Sequence, residues 1–109
     1  MNAKRKGSGG ERELAEILRR SGIRAYRNDQ IYRSGHNNPD VMAEVNNIPL
    51  HIEVKRVEKL NVSEAVNQAV RDAAKGALPV VAHRRNREQW LITMPLLNVL
   101  EVIKEMGEP

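Results

Sequence analysis

The 109-residue sequence contains no cysteine and no phenylalanine, and its aromatic residues are confined to Tyr26, Tyr32 and Trp90. Without cysteine there is no disulfide framework, no thiolate metal site and no thiol nucleophile, which fits a reducing compartment. So few aromatic rings argue against a single-strand binder that stacks successive bases on ring platforms. Long apolar runs are also missing. The longest, Ala77 to Ala82, is far short of a membrane span, and no apolar stretch follows the basic start as a secretory signal requires. There are no internal repeats and no low-complexity tract. The length suits one domain, and 40% hydrophobic with 29% charged residues is ordinary for a folded globular chain.

What is present is positive charge. Lys and Arg number 18 against 14 Asp and Glu, a net charge of +4, and 12 of the 18 are arginine. The guanidinium fork suits phosphate oxygens, so an anionic polymer is a natural partner, although a merely soluble basic surface has the same composition. Two basic segments are candidate contacts for backbone phosphates: an arm over residues 1–7, carrying Lys4, Arg5 and Lys6 and expected to be mobile, and the run Arg84, Arg85 and Arg87, which reads otherwise as a solvated loop.

The arm is followed by Gly7, Gly9 and Gly10, then by a helix over residues 11–22 with Leu14, Ile17, Leu18 and Ser21 on one stripe and Gly22 as its stop. Residues 23–27 suit a short strand and residues 28–38 a loop. Val41 to Val45 and Ile48 to Val57 both alternate and are separated by Asn46-Asn47, so they predict a hairpin. A two-residue turn pairs Val45 with Ile48 and, by continuation, Asp40 with Glu53. One face of the hairpin then carries Val41, Ala43, Val45, Ile48, Leu50, Ile52 and Val54, all apolar. A second helix is expected over residues 62–75, with Val62, Val66, Ala69, Val70 and Ala73 buried. Strands over 79–83 and 90–93 flank the basic loop, and a final helix follows Pro95. The order is α-β-β-β-α-β-β-α, an α/β or α+β sandwich with a mixed sheet and a single domain.

The other hairpin face carries the chemistry. Asp40 and Glu53, if directly opposed, hold their Cβ atoms roughly 5 Å apart, and two such carboxylates repel unless a cation lies between them. Oxygen ligands without cysteine point to Mg²⁺ or Mn²⁺. Lys55 projects to the same side, where an ammonium can orient the attacking water and stabilise charge developing on a phosphate. The plainer reading is a solvated strand face with a Glu–Lys pair, and the fully apolar opposite face weighs against it. Glu11 ends the buried stripe of the first helix and adds a third carboxylate, or serves only the helix dipole. Glu13 and Glu16 read as surface charges, with Glu16 able to pair with Arg20. His51 shares the carboxylate face and reads first as a strand-surface histidine, second as a metal or phosphate contact.

Pro39-Asp40, Glu53-Val54-Lys55 and the opening RKGSGGERELAEILRRSG together resemble the PD-(D/E)xK nuclease superfamily, in particular the archaeal and phage Holliday junction resolvases. Arg33-Ser34-Gly35 before the Asp is also similar to that group. The resemblance implies a restriction-endonuclease-like core and assigns Glu11, Asp40, Glu53 and Lys55 to catalytic positions. It makes Glu11, Asp40, Glu53 and the carbonyl of Val54 ligands of one or two Mg²⁺ (or Mn²⁺) ions. Arg12 and Arg33 match positions that contact DNA phosphate, and Gln68 is similar to a glutamine that some members place beside the metal. A cytoplasmic, metal-dependent endodeoxyribonuclease of a bacterial or phage-infected cell is the expectation, acting on branched DNA. The alternatives are a VRR-NUC-like nickase, a non-catalytic nucleic-acid-binding module and a structural subunit. Pairwise cutting of a junction calls for a homodimer. In the last helix Leu96, Val99, Leu100 and Ile103 can face the sheet, leaving Leu97 and Val102 for an interface.

Overall fold

The structure, a computed structural model, describes residues 3–28 and 38–107, with side chains from residue 9 onward. Arg33 therefore lies outside the described residues, as do the side chains of Lys4, Arg5 and Lys6. The chain runs α1 (Ala3–Arg20), β1 (Arg24–Arg27), β2 (Val41–Val45), β3 (Ile48–Arg56), α2 (Val62–Asp72), β4 (Leu78–Arg84), β5 (Leu91–Thr93) and α3 (Leu96–Gly107). This is the order read from the sequence. The five strands form one mixed sheet in the order β1-β2-β3-β4-β5. Only β3 and β4 are parallel among these pairs, because α2 carries the chain back between them.

The β2–β3 hairpin has the two-residue turn expected of Asn46-Asn47. Both residues are left-handed, with φ of 51° and 68°, the geometry that matches the twist of paired strands. Val45 pairs with Ile48 and Val41 with Ile52, so the register predicted from parity holds over the whole ladder. Val41, Ala43, Ile52 and Val54 then share one face with Val80 and Ala82 of β4, and Leu14 and Ala15 of α1 pack on them. Helix α1 stops as expected at Gly22, whose φ of +86° permits a Schellman closure. Its N–H donates to the Arg19 carbonyl and that of Ile23 to the Leu18 carbonyl. Helix α2 is capped by Asn61, whose Oδ1 accepts from the Glu64 N–H at 3.1 Å.

Three expectations need correction. Helix α1 begins at Ala3, so it takes in residues 3–7 that read as an arm. Ala, Lys and Arg are good helix formers, and Gly10, which reads as a breaker, is where helix and sheet approach closely. A Cβ there would lie 3.4 Å from Cβ of Arg56 and 3.5 Å from Cγ1 of Val54. In α2 the buried residues are Ala65 and Ala69, whereas Val62 and Val70 are exposed, Val70 at 51%. The helix lies on its alanine stripe because only small side chains allow that approach to Val81. It ends at Asp72, where Ala73 turns extended. In α3, Val102 turns inward with Val99 to line an apolar groove of about 220 Å³ over Leu50, Ile52 and Val80. Leu96 and Leu100, expected to face the sheet, are exposed instead, while Leu97 is exposed as expected, at 73%.

Candidate active site

The face of β3 opposite the α1 core carries His51, Glu53 and Lys55, and it is not solvated. Helix α2 covers it, and Val81, the β4 partner of Glu53, is fully buried there with Ala65 and Ala69. Glu53 is only 4% exposed and His51 2%, so His51 is a buried residue rather than the surface histidine expected. Its Nε2 lies 2.7 Å from Oε1 of Glu53.

Asp40 reaches the same place from β2. Pro39, fully buried, fixes the approach, and the Asp40 carbonyl accepts from the Asn28 N–H at 2.9 Å, which anchors the backbone to the end of β1. The side chain crosses to β3, where Oδ2 accepts from the Val54 N–H at 2.9 Å. The register places Asp40 one step beyond the Val41–Ile52 pair, opposite Glu53. The two carboxylates thus meet across the open end of the hairpin, as their spacing predicted.

Their electrostatics differ. Burial pushes Asp40 up to about 6, and the Glu53 charge adds to the rise against the opposing pull of the Val54 N–H and Lys55. Burial also acts to raise Glu53, but the His51 hydrogen bond and charge, followed by Asp40 and Lys55, outweigh it and hold Glu53 below its ordinary value. In the absence of a cation the pair therefore shares one easily lost proton, with Asp40 its holder. Lys55 is half-buried and favours the ionised form of both.

The donor chemistry fits a hard divalent cation. Mg²⁺ is commonly held by one or two carboxylates while keeping several waters, and the raised Asp40 marks where a positive charge would relieve repulsion. Among the described residues no set of three or more His, Asp or Glu side chains is arranged as a metal cage. Glu11 is thus not assembled with Asp40 and Glu53 as a third direct ligand. It is half-buried and follows Gly10, so α1 brings it to the end of β3 marked by Val54 and Arg56. Gln68 is half-buried on α2.

The basic residues divide. Arg12, Arg85 and Arg87 are exposed. Arg84, expected as a phosphate contact, is committed elsewhere: its side chain is 12% exposed, its Nε lies 2.9 Å from Oε1 of Glu13, and its guanidinium sits 5.6 Å from the Trp90 ring centre. Glu13 also accepts from the Trp90 indole N–H at 2.7 Å and lies 3.7 Å from Arg56. The residue that read as a surface charge therefore ties α1 to β3, β4 and the start of β5. Nothing in local spacing signals this, since the partners lie 43 to 77 positions away. Glu16 does pair with Arg20, at 2.7 Å.

Known proteins resemble this chain in fold and in family sequence pattern. Hjc, a Holliday junction resolvase from the archaeal hyperthermophile Archaeoglobus fulgidus, shares the fold with a TM-score of 0.59 and 28% identity, over 81% of this chain and 76% of its own. No curated protein sequence matches the chain. The profile of the family described as "Phage putative PDDEXK endonuclease" matches residues 2–108, and with Asp40, Glu53 and Lys55 gathered on one face the chain belongs to that endonuclease family.

Proposed function

We propose that this endonuclease is a Mg²⁺-dependent deoxyribonuclease that cuts branched DNA, four-way junctions among it, as a homodimer. The observation that carries the chemistry is the meeting of Asp40 and Glu53 beside Lys55, with the Asp40 carboxylate fixed on the Val54 N–H. Asp40, Glu53 and the Val54 carbonyl would hold the ion, and Glu11 would add a carboxylate through its waters. Bound there, Mg²⁺ (or Mn²⁺) supplies Lewis-acid activation of water and of the phosphodiester. Lys55 sets a positive charge on the same face, where it stabilises the charge that develops on the phosphate. The α2 cover and the buried β3 face keep the carboxylates from turning out into solvent, so they are oriented before substrate arrives.

Exposed Arg12, Arg85 and Arg87 supply phosphate contacts, and the similarity to an archaeal junction resolvase favours branched DNA over linear duplex. The exposed apolar residues of α3, Leu96, Leu97, Ile103 and Met106, supply a face on which two copies can pair. The test is cleavage of a synthetic four-way junction and of the matching linear duplex with Mg²⁺ and with a chelator. Chromatography with light scattering is run beside it on the same protein. Metal-dependent, paired nicks on the junction and loss of cutting in Asp40→Asn and Glu53→Gln support the proposal. Equal cutting of both DNAs by a monomer leaves only a general nuclease.

A further inference from the structure

Among the described residues the two buried polar side chains are His51 and Glu53, and they are bonded to each other. The neighbours of His51 across the sheet are Met42 on β2 and Pro79 on β4, both apolar. A leucine or valine would suit that position, as Val81 suits the position beside Glu53. An imidazole placed there loses its hydration and must recover it from a partner. That partner is a carboxylate of the reacting pair. Glu53 in turn is a long side chain in a nearly dry place, with rotamers that could swing Oε1 and Oε2 away from Asp40. An ionised carboxylate only accepts, so the bond requires the proton on Nε2 of the ring. With Oε1 accepting from His51, the second oxygen is left for a cation.

We propose that His51 is a positioning residue for metal binding: its Nε2–H fixes the Glu53 carboxylate in the orientation that holds the divalent ion with Asp40. This rests on the metal-dependent reading above. It goes beyond it in giving a task to a residue that touches neither ion nor DNA. Groups that orient a ligand from behind typically change metal affinity by 10- to 100-fold when removed. Their loss acts on the ion before it acts on substrate.

The experiment is calorimetric titration of the whole protein with Mn²⁺, without DNA, at pH 7.5, with thermal melting as the check on folding. His51→Leu removes the bond at similar volume and is expected to weaken Mn²⁺ binding at least tenfold. His51→Gln sets an amide N–H near the place of Nε2 and is expected to bind within about threefold of wild type. His51→Asn, whose amide reaches only as far as Nδ1, is expected to fall with the leucine variant. If the leucine variant does not fold, the comparison of Gln with Asn decides. Equal affinity in those two, whether both high or both low, overturns the positioning role, and so does a folded leucine variant that binds as wild type does. A wild-type protein that binds no Mn²⁺ refutes the metal-dependent reading itself, and Glu53→Gln, which must lose the ion under that reading, separates the two failures.

Discussion

Asp40→Asn should make the metal-free protein more stable while destroying its activity. Asp40 is raised from 3.8 to about 6, chiefly by burial and then by the Glu53 charge. The folded state therefore binds the Asp40 proton more tightly than the unfolded state. That difference penalises folding fully above about pH 6, shrinks as the pH falls through the window, and vanishes below 3.8. Two pH units correspond to roughly 3 kcal/mol at about 1.4 kcal/mol each. An asparagine keeps the acceptor for the Val54 N–H but still buries an amide, so about 1–2 kcal/mol of that should be recovered. For a domain near 100 residues this raises Tm by roughly 5–10 °C. The assay is thermal unfolding of both proteins in chelator at pH 7.5 and near pH 4. The variant should melt higher at pH 7.5, and the gap should largely close at pH 4. A variant that melts at or below wild type at pH 7.5 refutes the claim that burial and the Glu53 charge penalise an ionised Asp40 by more than the Val54 N–H and Lys55 offset. A gap of equal size at both pH values refutes its electrostatic origin.

The same site predicts that apparent Mn²⁺ affinity falls as the pH drops through about 6, because the ion must displace the Asp40 proton; calorimetry giving equal affinity at pH 5 and pH 7.5 would count against it. Glu13→Gln should cost about 2 kcal/mol, since it removes the charge that Arg84 and Trp90 share, and the loss should be read as a lower urea midpoint. Because Arg84 and Trp90 hold Glu13 below its ordinary 4.5, that contribution is present above pH 4.5 and disappears as the pH falls below it. Arg84→Ala should likewise act on stability, whereas Arg85→Ala and Arg87→Ala should leave Tm unchanged and weaken DNA binding, with a shallower dependence of affinity on salt. Asn46→Ala forces a side chain without a local hydrogen bond into φ of 51° and should destabilise the hairpin by about 1 kcal/mol, measured by chemical denaturation.

The hairpin and its carboxylates were legible because a strand has a period of two. Once Asn46-Asn47 is read as the turn, parity alone decides that Asp40, Glu53 and Lys55 share a face, and the observed Val45–Ile48 pairing follows. The element order was legible for a similar reason, since Gly22, Asn46-Asn47 and Pro95 punctuate runs whose periods change from one element to the next. Glu13 was not legible. Its position on the first helix is that of a surface charge, and the fold alone brings Arg56, Arg84 and Trp90 to it. In α2 the expectation held only in part: Ala69 is buried and Val66 packs beside it, but Ala65 joins them while Val62 and Val70 turn outward, because the short distance to the sheet favours small side chains at the contact.

His51 lies between these cases and shows what periodicity leaves out. Parity puts it on the carboxylate face, but parity cannot say whether that face is wet. The answer comes from β3 pairing in parallel with β4, which requires a crossover, and from that crossover being α2, which lies on the face it crosses. A parallel pair at the centre of the sheet thus makes both of its faces interior. Polar residues on its second face must then be bonded to one another or aimed at a ligand. His51, Glu53 and Asp40 form such a sequence of contacts from the dry interior outward to the open end of the hairpin. The parallel pairing that hides the histidine also leaves the carboxylates as the point where buried charge reaches solvent, which is where a cation and a phosphate can meet it.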